Sequence, residues 1–147
     1  MRRDVLHLSG AAVLVLAATL SLERVFIDHG WFTAGWGAAG LSLAVAFVAH
    51  RLRLGPGASA VASAAAFAVF THVLHLADDG LLPGRAEVTA FTQLWWQGLT
   101  DLVQEPAPAR TTPGLMLIVS SGVWWLAHGV HEVLVRWRRP GSGIVLA

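Results

Sequence analysis

Four of the histidines in this chain fall into two pairs of identical spacing. His72 and His75 lie in THVLH, at the end of an otherwise apolar run, and His128 and His131 lie in HGVH. Residues three apart share a helix face, and imidazole is a common ligand for metals and haem. The pairs therefore raise a haem or metal site, with His72, His75, His128 and His131 as candidate cofactor ligands and His29, His72 and His75 as candidate metal ligands. Little else offers chemistry. The chain has no cysteine, which excludes disulfides, thiolate metal sites and a cysteine nucleophile within it. It has no H-E-x-x-H, no phosphate-binding glycine loop and no G-x-S-x-G.

The elements that must hold these histidines are apolar. Of 147 residues 55% are hydrophobic and 13% charged, and the mean hydropathy is +0.61. The charged share is about half that of a soluble domain. The formal charge of +1, with no long basic patch, argues against nucleic acid as a partner. All cationic residues are arginine, and lysine, asparagine and tyrosine are absent. Together with the alanine content, this points to the GC-rich coding of a high-GC bacterium.

A spanning helix needs about 20 mostly apolar residues. Four runs qualify, at about 5–22, 31–49, 58–76 and 112–135. A soluble bundle would carry charges on the outer face of every helix, and these runs do not. The expected fold is therefore all-α, an integral membrane four-helix bundle in one domain over 1–147. The first run also has features of a signal peptide with paired Arg2 and Arg3, but it lacks a clear A-x-A site and further spans follow directly.

Arginine placement sets the expected sidedness. Arg2 and Arg3, then Arg51 and Arg53, then Arg136, Arg138 and Arg139 fall on one side; the 23–30 and 77–111 connections carry most of the acidic residues. This predicts a multi-pass protein of the bacterial plasma membrane with both termini cytoplasmic. Trp31, Trp36 and Trp137 are expected as interface anchors, and Trp124 and Trp125 as bulky packing residues near mid-span. Rows of small residues, Ala58–Ala62–Ala66, Ser59–Ser63 and Gly35–Ala39, suit close helix packing in lipid.

The long outer connection has its own pattern. Val88, Phe91, Trp95, Leu99 and Leu102 recur at three- and four-residue steps, predicting an amphipathic helix over about 86–104. It is expected to lie on the outer membrane surface; the alternative is a lid over the bundle mouth. The prolines that follow suit a helix start.

Topology separates the histidine pairs. His72 and His75 fall in the outer half of the third run, and His128 and His131 in the inner half of the fourth. At about 1.5 Å per residue the pairs differ in depth by roughly 10–20 Å, so they cannot share one small site. His29 is then a candidate neighbour of His75, and His50 of His131. The plainer reading has polar helix ends hydrogen-bonded to loops, carbonyls or headgroups. Glu132 with Arg136 reads as an i,i+4 pair, and Asp78–Asp79 as an exposed helix end or weak cation site.

One resemblance emerges from the order of elements. RLRLGPGASAVASAAAFAVF is followed by LLPGRAEVTAFTQLWWQGLTDLVQEPAPARTTPGLMLIVSSGV and then VRWRRP. Over roughly residues 31–140 this resembles the N-terminal membrane region of actinobacterial TgpA-type transglutaminase-like proteins. In that family the membrane helices precede an extracytoplasmic domain with a Cys-His-Asp triad. This chain stops at RRPGSGIVLA and has no cysteine, so no catalytic residue carries over. The resemblance implies a non-catalytic anchoring or assembly module without a cofactor. Its partners would be the lipid bilayer and a second copy or another membrane protein. The alternatives are a small redox or metal-binding subunit using the histidines, and an oligomeric small transporter. The transporter lacks a charge near the centre of any span and a pair of broken helices.

Overall fold

The computed structural model describes the backbone of residues 2–76, 85–106 and 108–136, and side chains within 9–75, 88–106 and 108–134. Its regular elements are helical: α1 (Arg2–Leu20), a 3-10 turn (Ser21–Arg24), α2 (Gly30–Arg51), α3 (Pro56–Thr71), a π-helical turn (His72–Leu76), α4 (Arg85–Gln104) and α5 (Pro113–Arg136). Helices α1, α2, α3 and α5 cover the four apolar runs, and α4 covers the 86–104 segment. Asp78, Asp79 and Trp137 lie outside the described residues.

Among the described residues, three helices are long and apolar enough to cross a membrane: Gly30–Arg51, Pro56–His75 and Pro113–Leu134. The first expected span forms a helix, α1, but is not one of these three. Only its part from Ser9 onward lies among the residues whose side chains are described.

Helix α5 is the hub, and α1, α2, α3 and α4 all pack on it. The local sequence explains where it starts. Thr112 caps it by accepting the Leu115 N–H at 3.2 Å, and Pro113 follows at the first helical position, where no N–H is needed. Pro56 starts α3 in the same way, after an extended Gly55.

The face that α2 buries is made largely of small residues. Ala34, Ala38, Ser42, Ala46 and Ala49 recur at three- and four-residue steps behind Trp31. Small side chains let backbones approach where lipid supplies no hydrophobic drive for helix association. Gly35 belongs to this face: a Cβ there would touch Thr19 Cγ2 of α1 at 3.4 Å. Ala11 and Val15 of α1, Ala38, Ala39 and Leu43 of α2, and Trp124 of α5 form the main core.

Helix α3 is built the other way round from a soluble helix. Its buried residues are Ser59, Ser63 and Thr71, while Val61 is 70% and Val69 64% exposed. The serine row therefore makes the close contact with α5. Of the alanine row, Ala58 is exposed and Ala62 and Ala66 are half-buried.

The α2–α3 turn closes with a Schellman arrangement. Arg53 N–H bonds the His50 carbonyl and Leu54 N–H bonds the Ala49 carbonyl, both at 3.0 Å. Arg53 takes the left-handed position of this motif, with φ 57°. Glycine usually fills that position, because a Cβ costs energy there.

At the opposite end two connections meet. Phe26 and Ala109 form an isolated parallel bridge, with Ile27 N–H to Ala109 O at 3.0 Å and Ala109 N–H to Val25 O at 2.8 Å. The 23–30 and 105–112 segments thus lie together, as alternating helix directions require. Trp31 does not serve as an exposed interface anchor. It is 3% exposed, stacked on Phe26 with ring centroids 6.3 Å apart, in a small core with Leu115. Trp36 is half-buried against Phe32.

Candidate functional site

Polar side chains inside the bundle form a seam through α5. Ser42 Oγ of α2 donates to the Trp124 carbonyl at 2.7 Å. The Trp124 indole N–H donates to Ser63 Oγ of α3 at 3.0 Å. Two turns further along α5, Ser59 Oγ donates to Glu132 Oε1 at 2.8 Å. Trp124 is fully buried, with the Phe67 and Phe70 rings at 5.4 and 5.5 Å. Trp125, expected to pack similarly, is 43% exposed.

Histidines gather at the Glu132 end of this seam. His128 and His131 are buried, at 6% and 3% exposure. His50, in the last turn of α2, meets His131 edge-on with ring centroids 6.3 Å apart. His128 meets Trp125 in the same manner at 6.1 Å. The expected approach of His50 to His131 is therefore present. Glu132 is engaged by Ser59 of another helix, and the side chain of Arg136 lies outside the described residues.

His72 and His75 stand elsewhere. The Ser59–Glu132 and Ser63–Trp124 bonds run α3 antiparallel to α5, and Ser59 and His72 are roughly 20 Å apart along the helix at about 1.5 Å per residue. The two pairs thus occupy opposite ends, as their topology predicts. His72 and His75 sit half-buried in the π-helical turn, a widened geometry that recurs at functional sites. Thr71 Oγ1 and His75 Nε2 are buried without a hydrogen-bond partner. His29 is exposed in the 23–30 connection. Among the described residues, no group of three or more His, Cys, Asp or Glu is placed to hold a metal ion.

The connection end has its own polar centre, unanticipated in the sequence. Asp28 accepts from the Thr111 hydroxyl, from Thr111 N–H at 3.0 Å and from Gly30 N–H at 3.0 Å. The Thr111 hydroxyl, then the two N–H groups, hold the Asp28 carboxyl below the usual aspartate range, outweighing a small opposing effect of burial. Next to it, Thr112 Oγ1 donates to Asp101 Oδ2 of α4 at 2.6 Å while capping α5. The placement of Asp101 at a helix N-terminus suits the α5 dipole.

Helix α4 docks on α5 through two glycines. A Cβ on Gly98 would collide with the Gly114 carbonyl, and one on Gly114 would lie 2.5 Å from Gly98 N. Nothing larger fits this crossing. Phe91, Trp95 and Leu99 of the expected apolar stripe are half-buried, whereas Val88 and Leu102 are exposed.

No family model, no curated protein and no solved structure matches this chain. Chemically, the arrangement can hold helices together through buried hydrogen bonds and can carry charge at two ends of the bundle.

Proposed function

We propose that the chain is a non-catalytic, multi-pass membrane module that anchors or assembles other protein parts, with α1 as a fourth membrane helix. The observation that carries the membrane reading is the inversion of α3. This helix hides Ser59, Ser63 and Thr71 and turns Val61 and Val69 outward, and Val73 in the π-helical turn that continues it is exposed as well. In water that arrangement exposes apolar surface and buries hydroxyls, whereas in lipid both groups are well placed. The meeting of the 23–30 and 105–112 connections supports an even number of crossings between one connection and the other, with the arginine-rich turn at the far end. The anchoring role itself draws on the resemblance to the membrane region of TgpA-type proteins. In that reading the Arg51–Arg53 turn and both termini face the cytoplasm of a bacterial plasma membrane.

The absence of cysteine makes the test direct. Single variants Ile27→Cys and Leu52→Cys place thiols on exposed residues at opposite ends. In intact cells, stripped of any outer barrier, a membrane-impermeant maleimide is expected to label position 27 and to reach position 52 only after lysis. Equal labelling of both, or the reverse order, overturns the topology.

The His50–His131 contact favours a second reading, a small redox or metal-binding subunit. An absorption spectrum of the protein purified from its native membrane decides it: a Soret or ligand-field band lost in His131→Ala would replace the anchoring role.

A further inference from the structure

Helix α4 has three distinct sides, and α5 accounts for one of them. Leu94 and Gly98 face α5. From that contact an apolar arc continues around the helix through Phe91 and Trp95 to Val88, Val103 and Trp96. α5 covers only its beginning: Val88 is 67%, Trp96 64% and Val103 85% exposed. The remaining strip carries Gln93, Gln97 and Thr100, all exposed and uncharged. Between Val88 and Thr100 there is no formal charge.

We infer that the Trp96–Val103 side of α4 is a lipid-contact surface, seated in the bilayer interface beside α5, with the Gln93–Gln97 strip facing water. Three observations fix lipid as the occupant. The arc is continuous with the surface of a helix, α5, that is itself long and apolar enough to span. Its border is built of tryptophan beside threonine and glutamine, the pairing of apolar body and polar tip that suits headgroup depth. The exposed strip lacks the charges that a water-bathed helix of this length carries. From Val88 to Gln104 α4 has no basic residue, so the insertion of this stretch draws on apolar burial. The Gly98–Gly114 crossing then fixes the depth of α4 to that of α5, so α4 cannot rise and fall independently. This inference rests on the membrane reading above.

The test uses single cysteines carrying a nitroxide label in the full chain, reconstituted into zwitterionic phosphatidylcholine vesicles. Positions are Trp96→Cys and Val103→Cys on the proposed lipid side, Gln93→Cys and Gln97→Cys on the water side, and Val69→Cys on α3 as the control. The ratio of oxygen to nickel-chelate collisions is expected to be higher at 96 and 103 than at 93 and 97. Equal, water-like ratios at all four α4 positions overturn the inference, as does protection of 96 and 103 from both reagents, the signature of a covering protein. A lipid-like ratio at 69 with a water-like ratio at 96 and 103 removes the inference alone; a water-like ratio at 69 removes the membrane reading as well. Should Trp96→Cys not fold, Val103→Cys carries the same contrast.

Discussion

The Trp124 indole N–H reaches Ser63 Oγ at 3.0 Å and, together with the Ser59–Glu132 bond, ties the least buried of the candidate spans to the hub of the bundle. Removing the acceptor leaves an indole N–H without a partner in a fully buried position, and the cost of an unmade buried hydrogen bond exceeds the value of a made one. Ser63→Ala is therefore expected to lower stability by about 1 kcal/mol, within the range found for interhelical bonds in membranes. A denaturation titration in detergent micelles measures it. The Ser63→Ala, Trp124→Phe double-mutant cycle should show a coupling of similar size; additivity would mean the bond contributes nothing.

The α4–α5 crossing predicts a contrast between glycines. Gly98→Ala drives a methyl group into the Gly114 carbonyl, backbone that cannot rotate away, and should destabilise by about 2 kcal/mol. Gly40→Ala meets nothing within 4 Å and should leave thermal stability unchanged or higher. Equal effects of the two substitutions would show that the crossing is not close.

Asp28 predicts an acid-sensitive end. Its carboxyl is depressed in the folded protein by bonds from Thr111 and Gly30. A depressed pKa means the contribution is complete above the ordinary aspartate value and disappears as pH falls through the lower, folded value. Stability measured from pH 7 downward should thus decline below about pH 4. In Asp28→Asn that part of the decline should vanish, and stability at neutral pH should be lower than in the parent. A pH profile unaltered by the substitution would exclude this role.

Arg53 predicts a gain. A left-handed residue with a Cβ costs roughly 1 kcal/mol relative to glycine at the Schellman position. Arg53→Gly should raise stability by about that amount in thermal melts. Because it also removes a charge from the arginine-rich turn, Arg53→Ala, which loses the charge and keeps the strain, serves as the comparison and should not stabilise.

Much of the architecture was legible in residue patterns. Apolar runs located α2, α3 and α5, Thr112–Pro113 marked the start of α5, and the three- and four-residue steps from Val88 to Leu102 located α4. The depth argument separated His72 and His75 from His128 and His131 and brought His50 to His131. Other features depend on partners that no local pattern names. Ser59 and Ser63 are buried against α5 while Ala58 is exposed and Ala62 and Ala66 are half-buried, because the hydroxyls find Glu132 and Trp124 there. Asp28 and Thr111 are 83 residues apart in sequence, so their bond is invisible until the two connections meet. Trp31 is buried because Phe26 and Leu115 close over it, and its position near a helix end suggested the opposite. The π-helical turn at His72 carries no sequence mark that helical periodicity would reveal.

Two helices hold Trp124 in different ways, and the difference bears on how the sequence can drift. Ser42 of α2 bonds the main-chain carbonyl of residue 124, which every amino acid supplies; Ser63 of α3 bonds the indole ring, which only tryptophan supplies. A substitution at position 124 leaves the first link in place and abolishes the second. The hydrogen bond between α2 and α5 therefore survives a change of side chain at this position, whereas one of the two bonds that hold α3 to α5 is lost with a single codon and only Ser59–Glu132 remains.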